Sequence, residues 1–139
     1  MKNRTKLNTN DNKRFIKVIT EELSGYSEII FAYFYGSARD SLMIGDIDIA
    51  VFLQESMPLE QQIDLTLTIS MELSSKLGLP VDIRPLNNTA SGFRYNVTKG
   101  EVLFSKDENF RIQYVVQTWH EYLDFKPLLE QNLKDLLET

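Results

Sequence analysis

The stretch Phe31-Ala-Tyr-Phe-Tyr-Gly-Ser-Ala-Arg-Asp-Ser-Leu-Met-Ile-Gly-Asp-Ile-Asp-Ile-Ala-Val-Phe-Leu53 decides the fold. It begins inside an apolar, aromatic run, residues 29–35, that has the composition of a buried strand. Gly36-Ser37 interrupts this run, and a second mainly apolar run extends from Asp46 to Leu53 after a short connection. The sequence therefore predicts two strands of one sheet, joined by a turn.

Two aspartates stand at the start of the second predicted strand. Because successive strand side chains point to opposite faces, Asp46 and Asp48 share one face with Ala50, and Ile47, Ile49 and Val51 take the other. Neighbouring carboxylates repel each other and are costly to desolvate, so a positive charge is expected beside them. Mg²⁺ suits such hard oxygen ligands and takes its remaining ligands from water and substrate phosphates.

The residues just before the connection complete this picture. Gly36 lets the backbone approach a ligand closely, and Ser37 offers a hydroxyl and an N–H group. If a helix begins there, its N-terminus favours a phosphate. Metal-binding carboxylates that face a phosphate cradle are the ingredients of nucleotidyl transfer.

The two segments together resemble a known signature. Gly36-Ser37-Ala38-Arg39, a spacer and Asp46-Ile47-Asp48-Ile49-Ala50-Val51 are similar to the signature of the nucleotidyltransferase superfamily that includes DNA polymerase beta. At this length the chain most resembles the minimal nucleotidyltransferases (MNT proteins), many of which are antitoxins paired with a HEPN-domain ribonuclease. The resemblance covers nearly the whole chain. It implies an α/β (α+β) fold with a small mixed sheet of about four strands, helices packed on it and a long C-terminal helical segment.

The chain departs from the family pattern in the connecting loop. The spacer, residues 38–45, is shorter than is common in the family; Asp40 follows Arg39 where the family has Gly, and Gly45 stands where Ser often precedes the first Asp. These departures affect the backbone amides that reach the phosphates and the direction of Arg39. They leave the carboxylate pair intact.

A third carboxylate, Asp82, lies between Val81 and Ile83 in a short apolar segment. It is either an edge-strand residue that faces water or a residue on a strand beside Asp46 and Asp48. The resemblance implies the second arrangement, in which this Asp holds a metal and accepts the proton of the attacking hydroxyl. It thereby implies a site with catalytic and metal-binding Asp46, Asp48 and Asp82 around two Mg²⁺ ions. ATP is the implied substrate, its phosphates held by Gly36, Ser37 and Arg39.

The resemblance also implies a function. MNT antitoxins of this type transfer AMP from ATP to a tyrosine of the partner HEPN toxin, with which they form a hetero-oligomer, and thereby neutralise it. Two alternatives remain open. One is a small-molecule nucleotidyltransferase of the antibiotic-resistance kind, although those enzymes usually carry an added substrate-binding domain. The other is an antitoxin with a degenerate site that acts by binding alone.

The composition of the chain indicates its class of protein, its domain organisation and its location. The chain has 139 residues, 42% hydrophobic and 25% charged, as expected of one soluble domain. We expect a flexible basic N-terminus over residues 1–10, a single nucleotidyltransferase domain over 11–139, and a C-terminal helical segment over 107–139. The net charge of −5 argues against direct nucleic-acid binding. The sequence has no membrane-length apolar run, no signal-peptide pattern and no cysteine, which favours a cytoplasmic location.

Helical spacing outside the central stretch predicts the remaining elements. Asp11 is the predicted N-cap of a first helix, and residues 59–77 carry an apolar stripe in a second. Asn87-Asn88-Thr89 is predicted to cap a third. Pro127 is expected to kink the last helix or divide it in two. We further expect exposed aromatic residues within 119–128 to form a surface for the toxin or for self-association.

Overall fold

The computed structural model describes residues 5–6, 9–36, 43–44 and 46–138. In chain order its elements are β1 (Thr5–Lys6), α1 (Thr9–Ser24), β2 (Ile29–Tyr35), β3 (Met43–Ile44), β4 (Ile47–Leu53), α2 (Leu59–Leu77), β5 (Val81–Pro85), α3 (Ser91–Thr98), β6 (Glu101–Ser105) and α4 (Glu108–Glu138).

The two strands predicted on either side of Gly36 form the centre of a four-stranded sheet. β2 and β4 are antiparallel neighbours, β5 extends the sheet parallel to β4, and β6 pairs antiparallel with the other side of β2. The strand order is β5-β4-β2-β6. This confirms the predicted small mixed sheet of four strands with helices and a long C-terminal helix.

The sheet carries a separate apolar cluster on each face. On one face, Ile47 and Ile49 of β4 pack with Ile19 of α1 and Ile69 of α2. On the other face, the aromatic rings of β2 and β4 pack against side chains of α3 and α4, among them Phe93 and Phe110. Asp48 alternates with Ile47 and Ile49 along β4 and therefore lies on the face covered by α3 and α4.

α2 turns a mixed polar and apolar face toward the sheet, and not the apolar stripe predicted from the sequence. Its buried residues are Gln62, Thr66, Ile69 and Leu73. Four residues of the predicted apolar stripe are 44–71% exposed: Leu59, Ile63, Leu67 and Met71. The fifth, Leu77 at the end of the helix, is half-buried and packs against the core. The reason lies in β5, an edge strand with backbone N–H groups that no further strand can accept. Ser70 Oγ accepts the N–H of Ile83 at 2.9 Å, and Ser74 Oγ accepts that of Val81 at 2.9 Å.

Asn87 does not cap α3. The N-cap of α3 is Ala90, which makes no side-chain capping bond. The Asn87 amide instead accepts the backbone N–H of Leu53 at 2.9 Å and donates to its carbonyl oxygen at 2.8 Å. These bonds satisfy the end of β4, where the ladder with β5 stops, so tertiary pairing replaces the predicted local cap.

The termini of the described chain differ from the prediction at two points. α1 begins at Thr9, before the predicted N-cap Asp11, and β1 pairs antiparallel with β3. Thr, Asn and Asp are all favoured N-cap residues, so the sequence Thr9-Asn10-Asp11 does not single out one start. α4 continues through Pro127 to Glu138, so the predicted division into two helices is not observed. No helix among the described residues is long and apolar enough to span a membrane.

Candidate active site

Three side chains form a row across the sheet on the face covered by α3 and α4. Tyr35 of β2 is the register partner of Asp48 of β4, and Asp48 is the register partner of Asp82 of β5. Asp48 is half-buried, and the Asp82 side chain is 44% exposed. The pairing of β4 with β5 therefore places Asp82 beside Asp48, although β5 is an edge strand and Asp82 is also partly exposed to water. Asp46 is exposed and lies immediately before β4.

Gly36 makes room for the Asp48 carboxylate. Its φ angle is +88°, a conformation that L side chains rarely adopt. A Cβ atom at this position would lie 2.8 Å from Asp48 Oδ2. The glycine therefore sharply turns the chain after β2 and leaves open the space beside the carboxylate. Ser37 and Arg39, the other predicted phosphate-binding residues, lie outside the described residues, and their roles stay predictions.

Arg84 is a neighbour that the sequence reading missed. Its Nε donates to Asp82 Oδ2 at 2.9 Å, and this hydrogen bond is the main cause of the raised pKa of Arg84. Arg84 follows Asp82 by two positions on β5, so strand alternation alone places both on one face. This two-residue spacing is the sequence feature from which the contact between Arg84 and Asp82 could have been predicted.

Tyr35 is the second residue of the site that the sequence reading missed. Its ring is buried and meets Phe93 edge-on, with 5.7 Å between ring centroids. Burial raises the pKa of the Tyr35 hydroxyl to about 12, and the negative charge of Asp48 adds to the effect, while Arg84 opposes it. The hydroxyl is therefore protonated at neutral pH and is a hydrogen-bond donor beside the carboxylates.

The carboxylates fit a magnesium ion shared with a nucleotide better than an ion enclosed by protein alone. Among the residues that the structure describes, no three Asp, Glu or His side chains group closely enough to hold a metal by themselves. Mg²⁺ at phosphate-transfer sites commonly uses one or two carboxylates, and phosphates and water complete its shell. Asp48 and Asp82, on facing strand positions with open space beside Asp48 Oδ2, suit that arrangement.

Comparison with known proteins identifies the family. The family model described as Polymerase beta, Nucleotidyltransferase matches residues 17–109. The chain belongs to this polymerase beta nucleotidyltransferase family. The matched region contains Gly36, Asp46, Asp48 and Asp82, whereas most of α4 lies beyond it. A search of curated proteins returned no match.

Solved structures of the same fold span almost the same length as this nucleotidyltransferase-family chain. A chain from the complex of tri-AMPylated Shewanella oneidensis HEPN toxin with MNT antitoxin superposes with a TM-score of 0.67 at 18% identity, covering 91% of this chain and 98% of that chain. A chain from the toxin–antitoxin complex MntA-HepT gives 0.64 at 19% identity, with coverage of 92% and 97%. A chain from a toxin–antitoxin structure with AMP-PNP gives 0.64 at 18% identity, with coverage of 94% and 99%.

Proposed function

We propose that this protein is an antitoxin that transfers AMP from ATP to a tyrosine hydroxyl of a HEPN ribonuclease toxin and so neutralises it. The observation that carries the proposal is the alignment of Asp48 with Asp82 across the β4–β5 pair, next to the opening left by Gly36. Membership in the nucleotidyltransferase family supports the reaction class. Similar folds in HEPN–MNT complexes, one of them tri-AMPylated and another structure containing AMP-PNP, support the choice of partner and nucleotide.

The proposed reaction is an in-line displacement at the α-phosphorus of ATP. The tyrosine oxygen attacks this phosphorus, the bond to the pyrophosphate oxygen breaks, and the phenolic proton passes to Asp82. Asp46, Asp48 and Asp82 would hold magnesium together with the nucleotide phosphates, and the metal would neutralise phosphate charge and stabilise the attacking and leaving oxygens. Gly36 admits the phosphates close to the backbone, with Ser37 and Arg39 as further contacts.

Arg84 and Tyr35 support the carboxylates in this scheme. Arg84 donates a hydrogen bond to Oδ2 of Asp82 and so helps to hold this carboxylate in position beside Asp48. Tyr35 keeps its proton at neutral pH and contributes a donor, and not a base, beside Asp48. Most of the rate enhancement is expected from positioning and charge neutralisation.

The direct test is intact-mass spectrometry of a HEPN toxin co-produced with this protein, ATP and Mg²⁺. Mass additions in steps of one AMP are expected with the wild-type chain, and a loss of about a hundredfold or more in transfer rate is expected with Asp48→Asn or Asp82→Asn. Glu55→Gln, an exposed carboxylate away from the row, is the matched control and should transfer normally.

A binding-only antitoxin is the second candidate. It is favoured by the pairing of Asp82 with Arg84 and by the lack, among the described residues, of a three-carboxylate group. The same experiment distinguishes the two, because an unmodified toxin that both wild type and Asp48→Asn inhibit would contradict AMP transfer and establish inhibition by binding.

A further inference from the structure

The outer side of α2 carries a row of large apolar side chains that the rest of the described chain leaves exposed. Residues four positions apart lie one above the other on a helix, so these side chains form a single ridge. The ridge, named the α2 ridge, consists of Leu59, Ile63, Leu67 and Met71, each 44–71% exposed. Isolated exposed apolar residues are common on soluble proteins, whereas a contiguous row marks an interaction surface.

The α2 ridge borders the edge of the sheet that carries Asp82. Two serines of α2 accept the backbone N–H groups of Val81 and Ile83, the residues on either side of Asp82. These serines are Ser70 and Ser74, and the last ridge residue lies between them in the helix. α2 therefore runs along the edge of β5 at the level of this carboxylate.

The same edge is the open side of the aligned carboxylates. β4, which carries Asp48, lies between β2 and β5, whereas β5 has a neighbouring strand on one side only. Of the two aligned carboxylates, Asp82 is therefore the one nearer to the edge of the sheet, and its side chain is partly exposed. A protein substrate that brings a hydroxyl group to Asp82 across this edge meets the α2 ridge.

The charges of α2 favour a basic partner over a second copy of this chain. Three of its four charged residues are acidic: Glu60, Asp64 and Glu72. The fourth, Lys76, already pairs with Glu22 of α1 at 3.0 Å. Two copies packed ridge to ridge would bring like charges together, which opposes association. A ribonuclease needs a basic surface to bind RNA, and such a surface complements the acidic border of the ridge.

We propose that the α2 ridge is the docking surface for the part of the toxin that presents the acceptor tyrosine. The partner surface is an apolar patch with a basic border. The patch packs on the ridge, and the border faces Glu60 and Asp64. The identity of this partner rests on the proposed function, whereas the ridge and its acidic border are features of this chain.

The test measures two quantities with the HEPN toxin of the mass-spectrometry experiment: the Kd of its complex with this protein and the rate of AMP addition. Ile63→Gln combined with Leu67→Gln removes the middle of the ridge and should raise the Kd at least tenfold. AMP addition should slow at low toxin concentration and recover at saturating toxin, because docking is separate from the chemical step.

A second variant tests the acidic border. Glu60→Gln combined with Asp64→Asn should weaken binding at low salt, and the difference from wild type should disappear at high salt, because salt screens exposed charges. The substituted positions in both variants are exposed, so circular dichroism should show folded proteins. Val102→Gln is the matched control, because it removes an exposed apolar side chain from β6 at the opposite edge of the sheet.

The outcomes separate this proposal from the proposed function. Normal AMP transfer by the wild type with an unchanged Kd in both α2 variants would overturn the docking surface and leave the proposed function standing. An unmodified toxin that binds the wild type and not the ridge variant would contradict AMP transfer and support the docking surface. Sedimentation of the wild type alone should show a monomer; a dimer that the ridge variant dissociates would overturn the proposal in favour of a second copy.

Discussion

At the scale of single residues, the site depends on the absence of a side chain at Gly36. Its backbone has φ of +88°, and the position of a Cβ would fall 2.8 Å from Asp48 Oδ2. The residue therefore has two separate reasons to be glycine, one of conformation and one of space. A second glycine, Gly78, allows the two reasons to be tested separately. Its φ is also positive, at +71°, but nothing lies within 4 Å of a Cβ built there.

We predict that Gly36→Ala and Gly78→Ala have different effects. Both substitutions place a side chain on a residue with positive φ, which should lower the free energy of unfolding by about 1–2 kcal/mol. Only Gly36→Ala also displaces the Asp48 carboxylate, so under the proposed function AMP transfer should fall at least tenfold in this variant and remain near wild type in Gly78→Ala. Urea denaturation and a transfer assay measure the two quantities. Equal transfer by both variants would contradict the steric role of Gly36.

The raised pKa of the Tyr35 hydroxyl predicts that the folded protein loses stability at high pH. Its pKa rises from 10.0 to about 12 on folding, so the folded state holds this proton more tightly than the unfolded state. The associated stability is present in full below pH 10 and is lost as the pH rises through 12, by about 2–3 kcal/mol for this residue. Urea denaturation at pH 9 and pH 11.5 should show a smaller loss for Tyr35→Phe than for wild type. Identical losses would show that another group is responsible.

At the scale of elements, α2 shows how a neighbour chooses the buried face of a helix. Ser70 and Ser74 accept the edge N–H groups of β5, which rotates Ile69 inward and leaves Ile63 44% exposed. The unpaired edge of β5 outweighs the apolar stripe because an unsatisfied buried N–H group is more costly than an exposed Leu or Ile.

Replacing one isoleucine on each face of α2 tests this orientation. Ile69→Ala removes a fully buried side chain and should lower the free energy of unfolding by about 2–5 kcal/mol. Ile63→Ala acts on the exposed stripe and should change it by no more than about 0.5–1 kcal/mol. Urea denaturation of both variants gives the comparison. A larger effect at Ile63 than at Ile69 would mean that the stripe faces the core.

At the scale of the whole molecule, the second half of α4 exposes large apolar side chains that the rest of the described domain does not cover. Tyr122 stacks on Tyr95 of α3, with 4.2 Å between ring centroids. Beyond it the large apolar residues are 47–87% exposed: Leu123, Phe125, Leu128, Leu129, Leu133, Leu136 and Leu137. Phe125 is thus an exposed aromatic within the segment predicted to form an interface, whereas Trp119 and Tyr122 are partly covered. The interface itself stays a prediction.

Under the proposed function, we expect this end of α4 to contact the toxin. Leu129→Asp combined with Leu133→Asp should abolish co-purification of a HEPN toxin, because both side chains are about half exposed and a buried charge opposes docking. Gln131→Asp combined with Asn132→Asp adds the same charge to neighbouring positions of the helix and is the control. Circular dichroism should show a folded protein in both cases. Retained binding by the leucine variant would contradict the prediction.

Local sequence patterns determined much of this protein. Alternation in β4 placed Asp48 opposite Ile47 and Ile49, and the glycine after Tyr35 marked the turn, because both depend only on backbone geometry over a few residues. The sheet composition and the long C-terminal helix followed from apolar runs and helical spacing together with the family resemblance.

Only the tertiary structure decided how these elements meet. The register of β4 with β5 brought Asp82 beside Asp48, and the N–H groups of β5 selected the face of α2 that carries Ser70 and Ser74. Asn87 could cap a helix by its residue type, but it pairs with Leu53, 34 positions away. Burial and hydrogen-bond satisfaction are relations between distant segments, so a pattern read along one segment does not contain them.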